Sequence, residues 1–185
     1  MIHSRYAARI TASFFALCCG VLGTPAHADS DGSTVIIDTD RSVVLAGGNV
    51  TLSKPVPENL VAAGGRIVID QPVGKSAVLA GGSIDLRAPV AGNLRAAGGS
   101  VTVGSSVAGN VSVAGGEVRI AREAAVGAAR VFAGTLTIDG HVGGPLRASA
   151  ERIIINGEVD GDVKVAAEQV VLGPGARIAG ALQYA

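Results

Sequence analysis

The chain has 185 residues, no tryptophan and an aromatic content of only 3%. Large rings usually supply much of a globular core, so any core here must be built from many small aliphatic contacts. Cysteine is almost absent: Cys18 and Cys19 are the only two, and both lie near the N-terminus. That excludes a disulfide framework or a cysteine metal centre in the rest of the chain. Neither sign of charge dominates, with fifteen Lys and Arg against fifteen Asp and Glu. Nucleic-acid binding needs concentrated positive charge, and this balance gives no reason to expect it. What is plentiful is glycine, at 27 residues, within a 48% hydrophobic composition rich in Val, Ile, Leu and Ala. Disordered chains lack so much branched aliphatic material. Small and β-branched residues with regular glycines point to many short strands joined by tight turns.

The first 28 residues differ from the rest. Arg5 and Arg9 make a basic start, an apolar run covers Ile10–Leu22, and Pro25 precedes "AHA" at Ala26–Ala28. This order is that of a secretory signal peptide, with cleavage expected between Ala28 and Asp29. The apolar run is shorter than the roughly 20 residues of a membrane helix; the alternative is an uncleaved N-terminal anchor. The expected division is a signal peptide at 1–28, an N-terminal strand or cap at 29–42, and a repeat domain at 43–185. Export would place the protein in the periplasm, or outside the cell, at the cell envelope. Cleavage would remove both cysteines and two of the three histidines, leaving His141.

The repeat is the strongest signal. "VLAGGNVTL" at Val44–Leu52 returns as "VAAGGRIVI", "VLAGGSIDL", "RAAGGSVTV" and "SVAGGEVRI". The second glycine of the pair falls at Gly48, Gly65, Gly82, Gly99 and Gly116, in steps of 17. The coils run Val43–Asn59, Leu60–Ser76, Ala77–Asn93, Leu94–Asn110, Val111–Ala128, Ala129–Pro145, Leu146–Asp162 and onward from Val163. The fifth is one residue longer. The eighth place holds Val50, Ile67, Ile84, Val101, Val118, Leu136, Ile153 and Val170. The tenth holds Leu52, Ile69, Leu86, Val103, Ile120, Ile138, Ile155 and Leu172. A third column, near the fourteenth place, holds Val56, Val73, Val90, Val107, Val126, Val142, Val159 and Ile178. The first and third places are also apolar. Alternation within a segment is strand periodicity. The Gly-Gly pairs, Pro55, Pro72, Pro89, Asn59, Asn93 and Asn110 read as corner residues.

Seventeen residues cannot bury their own apolar side chains, but stacked copies can. The expected fold is all-β: a single-stranded parallel β-helix, or β-solenoid, of about eight coils. At about 4.8 Å per rung its length is roughly 38 Å. Hexapeptide acyltransferases space their aliphatics by six in a left-handed solenoid. The paired columns at places eight and ten are not a hexapeptide feature, which favours a right-handed coil.

"IIINGEVDGDVKVAAEQVVL" at Ile153–Leu172 resembles the bactofilin repeat, V-x-I-x-G-x-V-x-G-D-V-x-A, through Ile153, Ile155, Gly157, Val159, Gly161, Asp162, Val163 and Val165. The weaker pattern reaches back to about Val43. Bactofilins are polymer-forming β-helices that assemble end to end without a nucleotide and act as envelope scaffolds. The resemblance implies such a role here, in a variant carrying an export signal. Bactofilins are typically cytoplasmic, and the glycine-pair coils are not standard bactofilin text.

Self-association is expected through the two ends of the rod. The N-terminal end would offer Val35, Ile37, Val43, Leu45, Val50 and Leu52. The C-terminal end would offer Val170, Leu172, Ile178, Leu182 and Tyr184, because Leu182 and Tyr184 begin a ninth coil on its first and third places. "STVIIDTD" at Ser33–Asp40 reads as one strand that caps the rod or completes a joint. At the second place, Val44, Val61 and Val78 form an outward apolar patch, followed by Arg95, Ser112, Arg147 and Lys164, which read as a solvated face. Partners are expected to be other copies of the chain, with envelope or membrane-associated proteins as further candidates and no nucleic acid. The alternative is a non-polymerising β-solenoid binding module of adhesin-like type in the cell envelope.

Chemistry is not expected: no catalytic residue, cofactor or metal site stands out. His141 reads as an exposed turn residue, without the nucleophile and acid that a triad needs. Asp160 and Asp162 read as turn residues. The glycine pairs lack the following Lys-Ser/Thr and helix of a phosphate loop. The ninth-place column (Thr51, Val68, Asp85, Thr102, Arg119, Thr137, Ile154, Val171) is no acidic ladder of the kind that glycan-cleaving β-helices use.

Overall fold

A computed structural model describes residues 35–39 and 42–184. The expected signal peptide and the Ala28–Asp29 cleavage site lie outside the described residues. The strands in chain order are β1 (Val35–Thr39), β2 (Ser42–Leu52), β3 (Asn59–Ile69), β4 (Ala77–Leu86), β5 (Leu94–Val103), β6 (Val111–Ile120), β7 (Ala125–Val126), β8 (Ala129–Ile138), β9 (His141–Val142), β10 (Leu146–Ile155), β11 (Glu158–Val159), β12 (Val163–Leu172), β13 (Arg177–Ile178) and β14 (Leu182–Tyr184). The described secondary structure is entirely β. It forms a β-solenoid of about eight coils, each with one long strand and, opposite it, a short strand or a single bridge.

The long strands form one sheet in the order β1-β2-β3-β4-β5-β6-β8-β10-β12-β14, and the short ones form a second, β13-β11-β9-β7. From β2 onward all pairing is parallel, and it follows the repeat: Ile67 opposes Ile84, which opposes Val101, which opposes Val118. The fourteenth-place column continues the short ladder toward the N-terminus through single bridges, Val56 to Val73 to Val90 to Val107 to Val126. The extra residues near Arg122 and near Pro174 are absorbed in tight turns, closed by Ala124 N–H donating to Ala121 O and Ala176 N–H to Gly173 O.

The five apolar columns are the core. Places eight, ten and fourteen are buried from Val50, Leu52 and Val56 through Ile153, Ile155 and Val159. At about 1.5–3 kcal/mol gross for each well-buried Val, Leu or Ile, a repeated column is a strong reason to stack. Places one and three share a volume. Leu60 faces inward with Ala62, Ala77 with Leu79, Leu94 with Ala96, and Val111 with Val113. Each coil thus holds one large and one small residue, or two of middle size, and the filling stays near constant as close packing requires. No polar or charged side chain is buried among the described residues.

The glycine pairs differ from expectation. They sit inside the long strands rather than in turns between strands, and from Gly48 to Gly180 no glycine takes a left-handed φ. What they provide is closeness. The burial phase changes across the pair: places one and three face inward before it, and places eight and ten after it. The strand bends there without leaving the sheet, and the inner bend brings the fifth place onto the carbonyl of the coil below. A Cβ on Gly64 would lie 2.3 Å from Gly47 O, and one on Gly81 2.4 Å from Gly64 O. Neither separation is possible for real atoms.

The N-terminal strand also departs from the stacking rule. β1 runs antiparallel to β2, from Val35 opposite Ala46 to Thr39 opposite Ser42. Only two residues join the paired ends, a hairpin length, whereas a parallel rung needs a full crossover. β1 is therefore an edge cap on the first half of β2, not another coil.

Candidate functional site: the open end and the outer face

The two ends of the solenoid are not alike. At the N-terminal end, Leu45, Val50 and Leu52 are buried within the chain, and Val43 is half-buried. Leu45, Val50 and Leu52 thus belong to the core of the single chain, and Val43 packs against it. Of the N-terminal set, Ile37 alone is shown exposed, at 54%. The structure describes only the backbone of Val35, opposite Ala46.

The C-terminal end is open. In the tenth-place column Ile155 is fully buried, but Leu172, one rung on, is 49% exposed. In the fourteenth-place column Val159 is fully buried and Ile178 only partly so, and Val170 is likewise half-buried. Leu182 and Tyr184 are both exposed. Strand β14 pairs in parallel with the start of β12, Val163 opposite Leu182 and Val165 opposite Tyr184. These are the first and third places expected from the repeat. Beyond Val165, no described strand lies on the outer edge of β12. One edge carbonyl is satisfied locally: the Tyr184 hydroxyl donates to Ala167 O at 2.7 Å. Tyr184 thus caps part of this edge within the chain itself.

On the outer face, Val44, Val61 and Val78 are in register on adjacent rungs, and Ile37 stands opposite Val44. They form one apolar stripe, of which Val78 is exposed while Val44 and Val61 are half-buried. β1 extends this stripe edge-on. The same second-place column then turns basic: Arg95, Ser112, Arg130, Arg147 and Lys164. The sequence column omitted Arg130, although the count that starts a coil at Ala129 places it there. Sequence reasoning also missed Phe132, which stands 58% exposed among alanines at the fourth place.

The remaining polar groups act as staples. A column of side chains ties corner to corner: Asn59 Oδ1 accepts from Ser76 N, Ser76 Oγ from Asn93 N, and Asn93 Oδ1 from Asn110 N at 2.8 Å. Asp162 does the same for Ala181 N, as expected of a turn residue. Asp160 does not; it pairs with His141, whose Nε2 lies 3.0 Å from Asp160 Oδ2. His141 itself sits on the short strand β9, half-buried, not in a free turn. Asp139 takes Arg119 Nη2 on one oxygen at 2.6 Å and Asn156 Nδ2 on the other. The hydrogen bond that Arg87 donates to Asp85, then the charges of Asp85 and Asp70, push the Arg87 guanidinium further up, and a group always protonated has no acid–base use. Among the described residues no cluster of three or more metal-ligating side chains occurs, and no helix is long and apolar enough to cross a membrane. Comparison with protein-family models, with curated proteins and with solved structures returns no match for this chain.

Proposed function

We propose that this chain is an exported structural scaffold of the bactofilin-like type, self-associating through the C-terminal end of its solenoid without a nucleotide. The observation that carries the reading is the abrupt opening of the core at the last rung, where Leu172 is 49% exposed above a fully buried Ile155. Open apolar columns beside a strand edge favour addition of further strands. A second copy is the natural occupant, because it brings the same columns and the same edge, and a two-fold joint makes the surface self-complementary. At the other end β1 already covers the start of β2. Growth beyond a pair would therefore use Ile36 and Ile37, both more than half exposed, rather than the core columns. The alternative, a binding module that does not polymerise, is favoured by the basic outer column.

Sedimentation velocity across a concentration series tests the reading, with the chain beside a Leu172→Glu/Leu182→Glu variant. Dimers or longer rods are expected in the parent and monomers in the variant. A parent that stays monomeric at every concentration removes the scaffold and leaves the binding module. Export has its own test: mass spectrometry of protein recovered from a secreting host should show a mature chain starting at Asp29.

A further inference from the structure

The second-place column from β5 to β12 carries four cations on five consecutive rungs: Arg95, then Ser112, then Arg130, Arg147 and Lys164. At about 4.8 Å per rung the column is roughly 19 Å long. All four are exposed. None pairs with a carboxylate among the described residues, whereas Lys75, Arg87 and Arg119 elsewhere on the rod each do. Like charges directly opposite on neighbouring strands are destabilising, so three cations in register are held against their own repulsion. The neighbours on the same face bring no relief. The fourth place beside them holds Ala97, Ala114, Phe132, Ser149 and Ala166. Asp162, at the adjoining corner, accepts from Ala181 N on Oδ1 and forms no ion pair with these cations.

Shallow grooves flank this column. One, of about 570 Å³, runs between Phe132 and Tyr184 along Arg130, Arg147 and Lys164, with Ser149 in its wall. Another, of about 290 Å³, lies on the other side of Phe132, over Ala80, Ala97 and Ala114 and beside Arg95 and Arg130. A third, of about 440 Å³, adjoins the same cations on their corner side, where Asn93 and Asn110 line it. Two exposed rings, a single file of cations and neutral hydroxyl and amide groups thus share one open face. The grooves are too open to enclose a small molecule, and the file of charge runs along the rod.

We infer that this face binds a linear carboxylated polysaccharide lying along the solenoid axis. Its carboxylates answer the cation file, its sugar faces lie on Phe132 and Tyr184, and its hydroxyls meet Ser112, Ser149 and the corner amides. The neutral hydroxyls and amides beside the file suit a glycan's hydroxyls, whereas nucleic-acid binding leans on neutralising more phosphates than four cations supply. The cation file lies on rungs before the terminal strand and would stay open in an end-to-end joint, whereas Tyr184 belongs to both the face and the end.

The test is affinity electrophoresis and titration calorimetry of the whole chain with polygalacturonate, neutral dextran and an oligodeoxythymidine. Polygalacturonate should bind, more weakly as salt rises, and dextran should not. Arg130→Glu/Arg147→Glu should weaken binding by at least about tenfold, and Phe132→Ala by several-fold, with the strand circular-dichroism signal unchanged in both. No binding of polygalacturonate overturns the inference. So does undiminished binding by the double variant. Oligodeoxythymidine bound as tightly as polygalacturonate would replace the glycan by a nucleic acid. The parent's sedimentation is read in the same buffers, so loss of the glycan site and loss of self-association remain separate results.

Discussion

The rod has two halves that share a core but not a corner. From β2 to β6 the fifth place is glycine; from β8 to β12 it is Ala133, Ala150 and Ala167, stacked in register. The clearance between the two changes gradually. A Cβ would stand 2.3 Å from the carbonyl below at Gly64, 2.4 Å at Gly81, 2.5 Å at Gly98 and 2.7 Å at Gly115. Where the next coil comes, a real Cβ is present. The bend therefore relaxes along the axis, and side chains appear once there is room for them. The sixth place shows no such drift, with about the same crowding at Gly65 and at Gly134, and there the change to Glu151 and Glu168 comes abruptly. Tight corners and charged corners are two ways of closing the same 17-residue coil.

The comparison can be broken or sharpened by substitution, read as urea unfolding. The largest effect is expected in the shared core. Ile84→Ala and Ile153→Ala should each cost about 2–5 kcal/mol, with similar values in the two halves. A wide difference would mean that the core, and not only the corner, is unequal. Next is the corner itself. Gly81→Ala pushes a methyl against Gly64 O and the Ile67 side chain and should cost about 1–3 kcal/mol, with Gly115→Ala at the lower end. Equal losses would deny the graded clearance. The reverse change, Ala150→Gly, removes no clash and should cost only about 0.5–1 kcal/mol from added chain freedom. The smallest effect belongs to the amide ladder. Asn93→Ala leaves Asn110 N without its side-chain acceptor at a solvent-reachable corner and should cost about 0.5–1.5 kcal/mol.

Much of this was legible in the residues. The spacing of 17 gives the register of every parallel rung from β2 to β6, and the apolar columns give the core almost without exception. Glycine pairs read as turns in a sequence because small size and free φ are there the same property. Only the distance to the coil below tells them apart. The direction of β1 was within reach, since Thr39 and Ser42 pair across two residues and no crossover fits in that length. The burial of Val50 and Leu52 was not. Residue type marks them as core, but whether a terminal rung is covered depends on what lies beyond it. The open end was readable at Leu182 and Tyr184. Its edge cap was not, because the bond from Tyr184 to Ala167 O needs the ring's actual path. The basic file was half visible, and the omission of Arg130 hid that three of its cations are adjacent.

Among the described residues the core holds no buried polar side chain. The coils differ only in which apolar residues fill them, as with Leu60 and Ala62 against Ala77 and Leu79, so displacement by a whole repeat keeps every column apolar. Length is then adjustable in units of one coil. Gain or loss of 17 residues should lengthen or shorten the rod by about 4.8 Å while leaving both ends and the packing intact. Such a gene can grow or shrink by in-frame duplication, and the corners set the limit. A glycine coil fits upon a glycine coil, and an alanine coil fits only where the bend has already opened.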